Sequence, residues 1–73
     1  MLIKLHLVVR DNPEHVPIYI ESSFIVMIVP TTGGSEVHTS IVKVDVSGDQ
    51  LCVFVAESPA EIVAKINGAV NLN

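Results

Sequence analysis

The chain has little positive charge, one cysteine and no long apolar run, and each shortage closes off a class of function. Lysine and arginine together number 4 of 73 residues against 8 acidic ones, for a net charge of −4. The four cations, Lys4, Arg10, Lys43 and Lys65, are scattered. Binding to nucleic acid needs a basic patch that displaces phosphate counterions, so no nucleic-acid partner is expected. Cys52 alone cannot form an internal disulfide; this fits a reducing compartment and points to the cytoplasm. No unbroken apolar run is longer than residues 24–29, far short of the roughly 20 a spanning helix needs. Met1 is followed by an alternating segment containing Lys4 and Arg10, not by the charged start, apolar centre and cleavage site of a secretory signal.

What the chain does have is apolar surface. Hydrophobic residues make up 49% of it and the mean hydropathy is +0.56. A domain this small buries only about 60–65% of its unfolded surface. With a membrane segment set aside, the excess is expected to lie in an interface between subunits.

Residues 50–62 organise the rest. Residues 51–56 are apolar at every position and too short for a helix. Leu51, Val53 and Val55 fall on one face of a strand and Cys52, Phe54 and Ala56 on the other, so both faces are expected to be covered. Ser58 is placed as an N-cap, Pro59 fits the first helical position, and Glu61 stands three residues after the cap. That is the spacing of a capping box. Ile62, Val63 and Ile66 share a helical face, and Asn67-Gly68 is the expected stop, giving a C-terminal helix over residues 59–66.

Upstream, Ile3, Leu5, Leu7 and Val9 alternate with Lys4, His6, Val8 and Arg10, a strand with one wet side. Asp11-Asn12-Pro13-Glu14 reads as a turn. Val16, Ile18 and Ile20 form a second strand, which Pro17 places at an edge, in a hairpin with the first. Glu21-Ser22-Ser23 reads as a tight bend, residues 24–29 as a third strand stopped by Pro30, and residues 31–35 as a flexible connection. Residues 37–46 read as a fourth strand whose apolar phase slips: Val37, Thr39 and Ile41 in one phase, Val42, Val44 and Val46 in the other. A β-bulge or bend near Ile41-Val42 would repair it. Ser47-Gly48-Asp49 turns back into the fifth strand, and the tail after Gly68 is expected to fray.

Ile18-Tyr19-Ile20, then Ile25 and Ile28, the Gly33-Gly34-Ser35 linker, the strand led by Val37, and Val53-x-Val55-Ala56-Glu57-Ser58-Pro59-Ala60-Glu61-Ile62 together form a recognisable order. In it the chain resembles small bacterial proteins of the flagellar FlbD/SwrD type and their short relatives. The likeness covers the C-terminal third well and the rest as spacing; the fourth strand is longer and more apolar than in that family. It implies a small β-rich protein with a terminal helix and no enzymatic role.

Residues able to carry chemistry are few. His6, His15 and His38, with Asp11, Glu36 and Asp45 near them in sequence, lack the paired spacing of a metal site, so no metal is expected. Cys52, in an all-apolar strand, reads as a small buried hydrophobe and not as a nucleophile. Ser22-Ser23 and residues 31–35 lack the lysine and the following helix of a phosphate-binding loop. No catalytic residue and no cofactor follow, and no enzyme is expected.

The resulting expectation is a mainly β, α+β domain spanning residues 1–73. It has about five mostly antiparallel strands in a curled sheet, or a small SH3/Sm-like partial barrel, with one C-terminal helix. One short helix covers one face of such a sheet, so Phe24, Met27, Cys52 and Phe54 are expected to form an interface between copies in a homo-oligomer, or with another protein. The function expected is that of a small non-enzymatic interaction or assembly protein. A ligand- or nucleic-acid-binding small barrel is the alternative, resting on fold analogy.

Overall fold

Alternation with a two-residue period makes the first hairpin. In the computed structural model, which describes residues 1–11, 13–42 and 48–70 (69 and 70 by backbone alone), β1 (Leu2–Leu7) pairs antiparallel with β2 (Val16–Glu21) from Leu2↔Glu21 to Leu7↔Val16. β1 is shorter than the expected 2–10, because Val8 leaves β2 and donates its N–H to the Phe54 carbonyl at 2.9 Å. Asp11 takes a left-handed φ of 63° in the connection, a conformation Asp tolerates. The bend at residues 21–23 is one 3₁₀ turn, Ser22–Phe24.

β3 (Ile25–Thr31), β4 (Gly34–Val42) and β5 (Gln50–Val55) follow as an antiparallel meander. The strand order is β2-β1-β5-β4-β3 in one open sheet, the mainly β architecture expected, with α1 (Pro59–Val70) after it. Both edge strands contain proline, Pro17 in β2 and Pro30 in β3. Pro30 therefore does not stop β3: an edge strand has one side with no ladder partner to lose.

The segment expected to be a flexible connection is a tight hairpin instead. Thr31 pairs with Gly34, leaving Thr32-Gly33 as the loop, and Gly33 supplies the positive φ of 95° it needs. Gly34 then passes so close to β5 that a Cβ there would lie 1.9 Å from the Val55 carbonyl oxygen.

β4 breaks register between His38 and Val42, three intervening residues opposing one of β5. The irregularity lies next to the expected position, and Thr39 holds it. Its hydroxyl donates to the Leu51 carbonyl at 2.8 Å and accepts the Ile41 N–H at 3.2 Å. It does not turn Val42 inward: Val42 pairs with Gln50 and stays exposed. Residues 43–47, the expected end of this strand and start of the turn, lie outside the described residues, as do Asn12 and the tail 71–73.

The first hairpin and the meander meet along a narrow seam. One ladder pair, Leu7↔Val55, joins β1 to β5, with Ala56 N–H donating to the His6 carbonyl at 2.8 Å. Glu57 extends the seam with its side chain. Oε1 accepts the His6 backbone N–H at 2.9 Å and Oε2 lies 2.6 Å from His6 Nδ1, while the Glu57 carbonyl accepts Ser35 Oγ–H at 2.7 Å.

The capping box forms as expected: Glu61 N–H donates to Ser58 Oγ at 3.2 Å and Ser58 N–H to Glu61 Oε1 at 3.3 Å. α1 runs past Asn67-Gly68 to Val70, where the sequence predicts a stop after Ile66. Gly68 does not take the left-handed φ of a C-cap; a helical glycine costs about 1 kcal/mol but does not end a helix. The helix packs against β1 and β3 and seals the core of Ile3, Leu5, Ile20, Val37, Val55 and Ile62. Each such side chain is worth about 1.5–3 kcal/mol buried.

Candidate functional site

Residues directly opposite in an antiparallel ladder share a face, so the pairing assigns every strand residue a side. Val37, Val53, Val55 and Ile28 line the side covered by α1. On the other side two rows cross the meander: Met27, His38 and Cys52 in one, and Val29, Glu36 and Phe54 in the next. A bulge at Val26 produces this arrangement. Ile25 pairs with Thr39 and Met27 with His38, so the extra residue sends Ile25 to the helix side and Met27 to the open side.

Among the described residues nothing covers this open side. Met27 and Phe54 are 50% and 53% exposed, and Phe24, at the turn into β3, is 45% exposed. Cys52 is half-buried on the open face, not the enclosed core residue its all-apolar strand predicts. The expectation that both faces of β5 are covered holds on the helix side alone. Of the four residues singled out from the sequence, Met27, Cys52 and Phe54 share this face.

At its centre the face is polar. Glu36 and His38 stand two apart on β4, and His38 is the cross-strand partner of Cys52. His38 Nε2 lies 2.6 Å from Glu36 Oε1. Cys52 Sγ is 3.5 Å from the same oxygen and 3.8 Å from the same nitrogen. Among the described residues this is the one group of three potential ligand side chains whose donor atoms converge. The sequence offers Glu36 and His38 as possible ligands that lack paired spacing, and it does not join Cys52 to them. The Glu36-x-His38 alternation was the available signal, but the ladder that brings Cys52 to it spans 14 residues and is set by the turn and bulges between.

The geometry is not that of a nucleophile relay. An activated thiol faces one nitrogen of its base while a third group holds the other. Here one nitrogen, Nε2, faces both neighbours. His6, by contrast, is occupied with Glu57 at the seam, and His15 is exposed. Burial pushes the Glu57 carboxyl up, but hydrogen bonds from the His6 ring, the His6 N–H and its own N–H, with the attraction of His6, outweigh it and hold the group below its ordinary value. Ser35, the one hydroxyl of the glycine-containing hairpin that is buried, is committed to the Glu57 carbonyl, so that hairpin is built as structure.

The described residues form no pocket, and no helix among them is long and apolar enough to cross a membrane. Comparisons with protein-family models, with curated proteins and with solved structures find no match to this chain, and the likeness to the flagellar proteins gains no support from them.

Proposed function

We propose that this protein is a small non-enzymatic interaction and assembly protein that self-associates through the open face of its sheet. The observation that carries the reading is the exposure of Met27 and Phe54 on the face opposite α1. Covering each half-exposed large side chain is worth about 1 kcal/mol, a sizeable increment for a domain whose whole stability is about 5–15 kcal/mol.

A second copy is the occupant that fits. The edges are poor places for strand addition, since Pro17 and Pro30 each lack a backbone N–H to offer an added strand. That leaves face-to-face stacking, in which an apolar patch with a polar centre meets its own copy about a two-fold axis. The single cysteine supports a cytoplasmic setting.

Light scattering on the eluting protein across a concentration series tests the reading. Phe54→Glu places a charge in the patch without touching the core, and is expected to give a folded monomer. A wild-type protein that is already monomeric at high micromolar concentration would overturn it.

A further inference from the structure

The polar centre of the open face has a use that neither the apolar patch nor the fold requires. We propose that Glu36, His38 and Cys52 form a binding site for one zinc-class divalent metal ion per chain. The site is built by register. Glu36 and His38, two apart on β4, project from the same face of the strand, and the ladder sets Cys52 of β5 directly opposite His38. Three different donor types, a thiol sulfur, an imidazole nitrogen and a carboxylate oxygen, thus meet without any ligand spacing visible in the sequence.

The three donor atoms hydrogen-bond to one another as they stand, and their spacing lets a cation replace those bonds. A triangle with sides of 2.6, 3.5 and 3.8 Å has a circumscribed circle of about 2.0 Å radius, so an ion slightly out of its plane sits near the Zn–N, Zn–O and Zn–S lengths of about 2.0–2.3 Å. The Cys52–Glu36 and Cys52–His38 separations already match the edges of a tetrahedral ligand set, and only the 2.6 Å His38–Glu36 approach has to open. Cys52 enters as thiolate and His38 through an unprotonated Nε2; the thiol proton leaves to solvent, and the proton between Nε2 and Glu36 leaves to solvent from a charged ring or is replaced by one on Nδ1 in a neutral ring. A thiolate with an imidazole selects zinc, cobalt, nickel or copper over magnesium and calcium. In the single chain the Glu36 and His38 side chains are 30% and 32% exposed, so the ion has a path in before a second copy covers the face.

All three ligands come from one chain, so the site does not rest on self-association and is tested separately from it. Cobalt(II), titrated into the full chain under reducing conditions, is expected to give a thiolate-to-cobalt charge-transfer band that saturates at one ion per chain and disappears when zinc is added. Cys52→Ser is expected to abolish the band. His38→Ala is expected to weaken binding by about 100-fold or more, since even groups behind a ligand cost about 10–100-fold. His15→Ala, away from the site, is expected to bind as the wild type does.

A measurement on the unaltered protein guards against variants that fail to fold. In ring-nitrogen NMR, zinc should move His38 Nε2 and leave His6 and His15 in place. Absence of the charge-transfer band, equal binding by His38→Ala, or zinc-induced shifts at His15 in place of His38 would each overturn the proposal.

Discussion

A methyl group at position 34 would collide with backbone, not with a side chain that could swing aside. The Cβ of Gly34→Ala falls 1.9 Å from the Val55 carbonyl oxygen, so β4 and β5 would have to separate where they carry both the seam and the edge of the open face. Gly34→Ala is expected to lower stability by about 3 kcal/mol or more, read as the shift in a urea midpoint; a shift under about 1 kcal/mol would mean the strands part easily there. Its neighbour across the seam, Glu57, sets an acid limit. Its carboxyl is held below the ordinary value of 4.5 in the folded chain, so its contribution is complete above that value and is lost as pH falls through the lower folded one. Glu21, hydrogen-bonded and attracted by the Met1 ammonium, is also held low and acts in the same window. Glu57→Gln is expected to be less stable than wild type at pH 7 and to lose less stability between pH 5 and pH 3 (roughly the carboxylate range). Parallel pH profiles for the two proteins would show that Glu57 is not the group responsible.

Among the elements, β4 is the one whose shape depends on a single hydroxyl. Thr39, fully buried, bonds Leu51 on the next strand and Ile41 on its own, standing in for ladder bonds lost where three residues face one. Thr39→Val keeps the volume and strands both backbone groups, and is expected to cost about 1–3 kcal/mol in chemical denaturation, while Thr39→Ser retains most of the stability. Equal stability of Thr39→Val and wild type would remove the hydroxyl from this role. Elements were legible in the sequence where their cause is local. The Ser58–Glu61 capping box needs only residues within one turn, and the alternation of Ile3, Leu5 and Leu7 marks a half-buried strand by itself. The slip in phase along β4 was visible too, but not that the register shift leaves Val42 outside. Less legible was whatever depends on a partner strand. Residues 31–35 looked like a linker because Gly-Gly-Ser composition does not distinguish a loose chain from a hairpin whose second glycine is pressed against β5. Cys52 looked like core because every neighbour in its strand is apolar. Its place beside His38 and Glu36 follows from cross-strand register, which no local pattern encodes.

For the whole molecule, the decisive asymmetry is between the two sides of the sheet. One side has α1 and the buried set from Ile3 to Ile62; the other shows Met27 and Phe54 around a polar centre. The radius of gyration of 12.6 Å exceeds the about 11 Å expected of a compact domain of this length, as suits an open sheet with a helix on one side only. A second copy laid against the open face would bury the exposed aromatic and methionine side chains together with the Glu36–His38–Cys52 group. The most direct test is the mass in solution of the wild-type chain by sedimentation equilibrium from low to high micromolar concentration. A mass rising to at least twice the 7.9 kDa of one chain, and falling back to one chain in Phe54→Glu, is the predicted result. A mass of one chain across the whole range would contradict it.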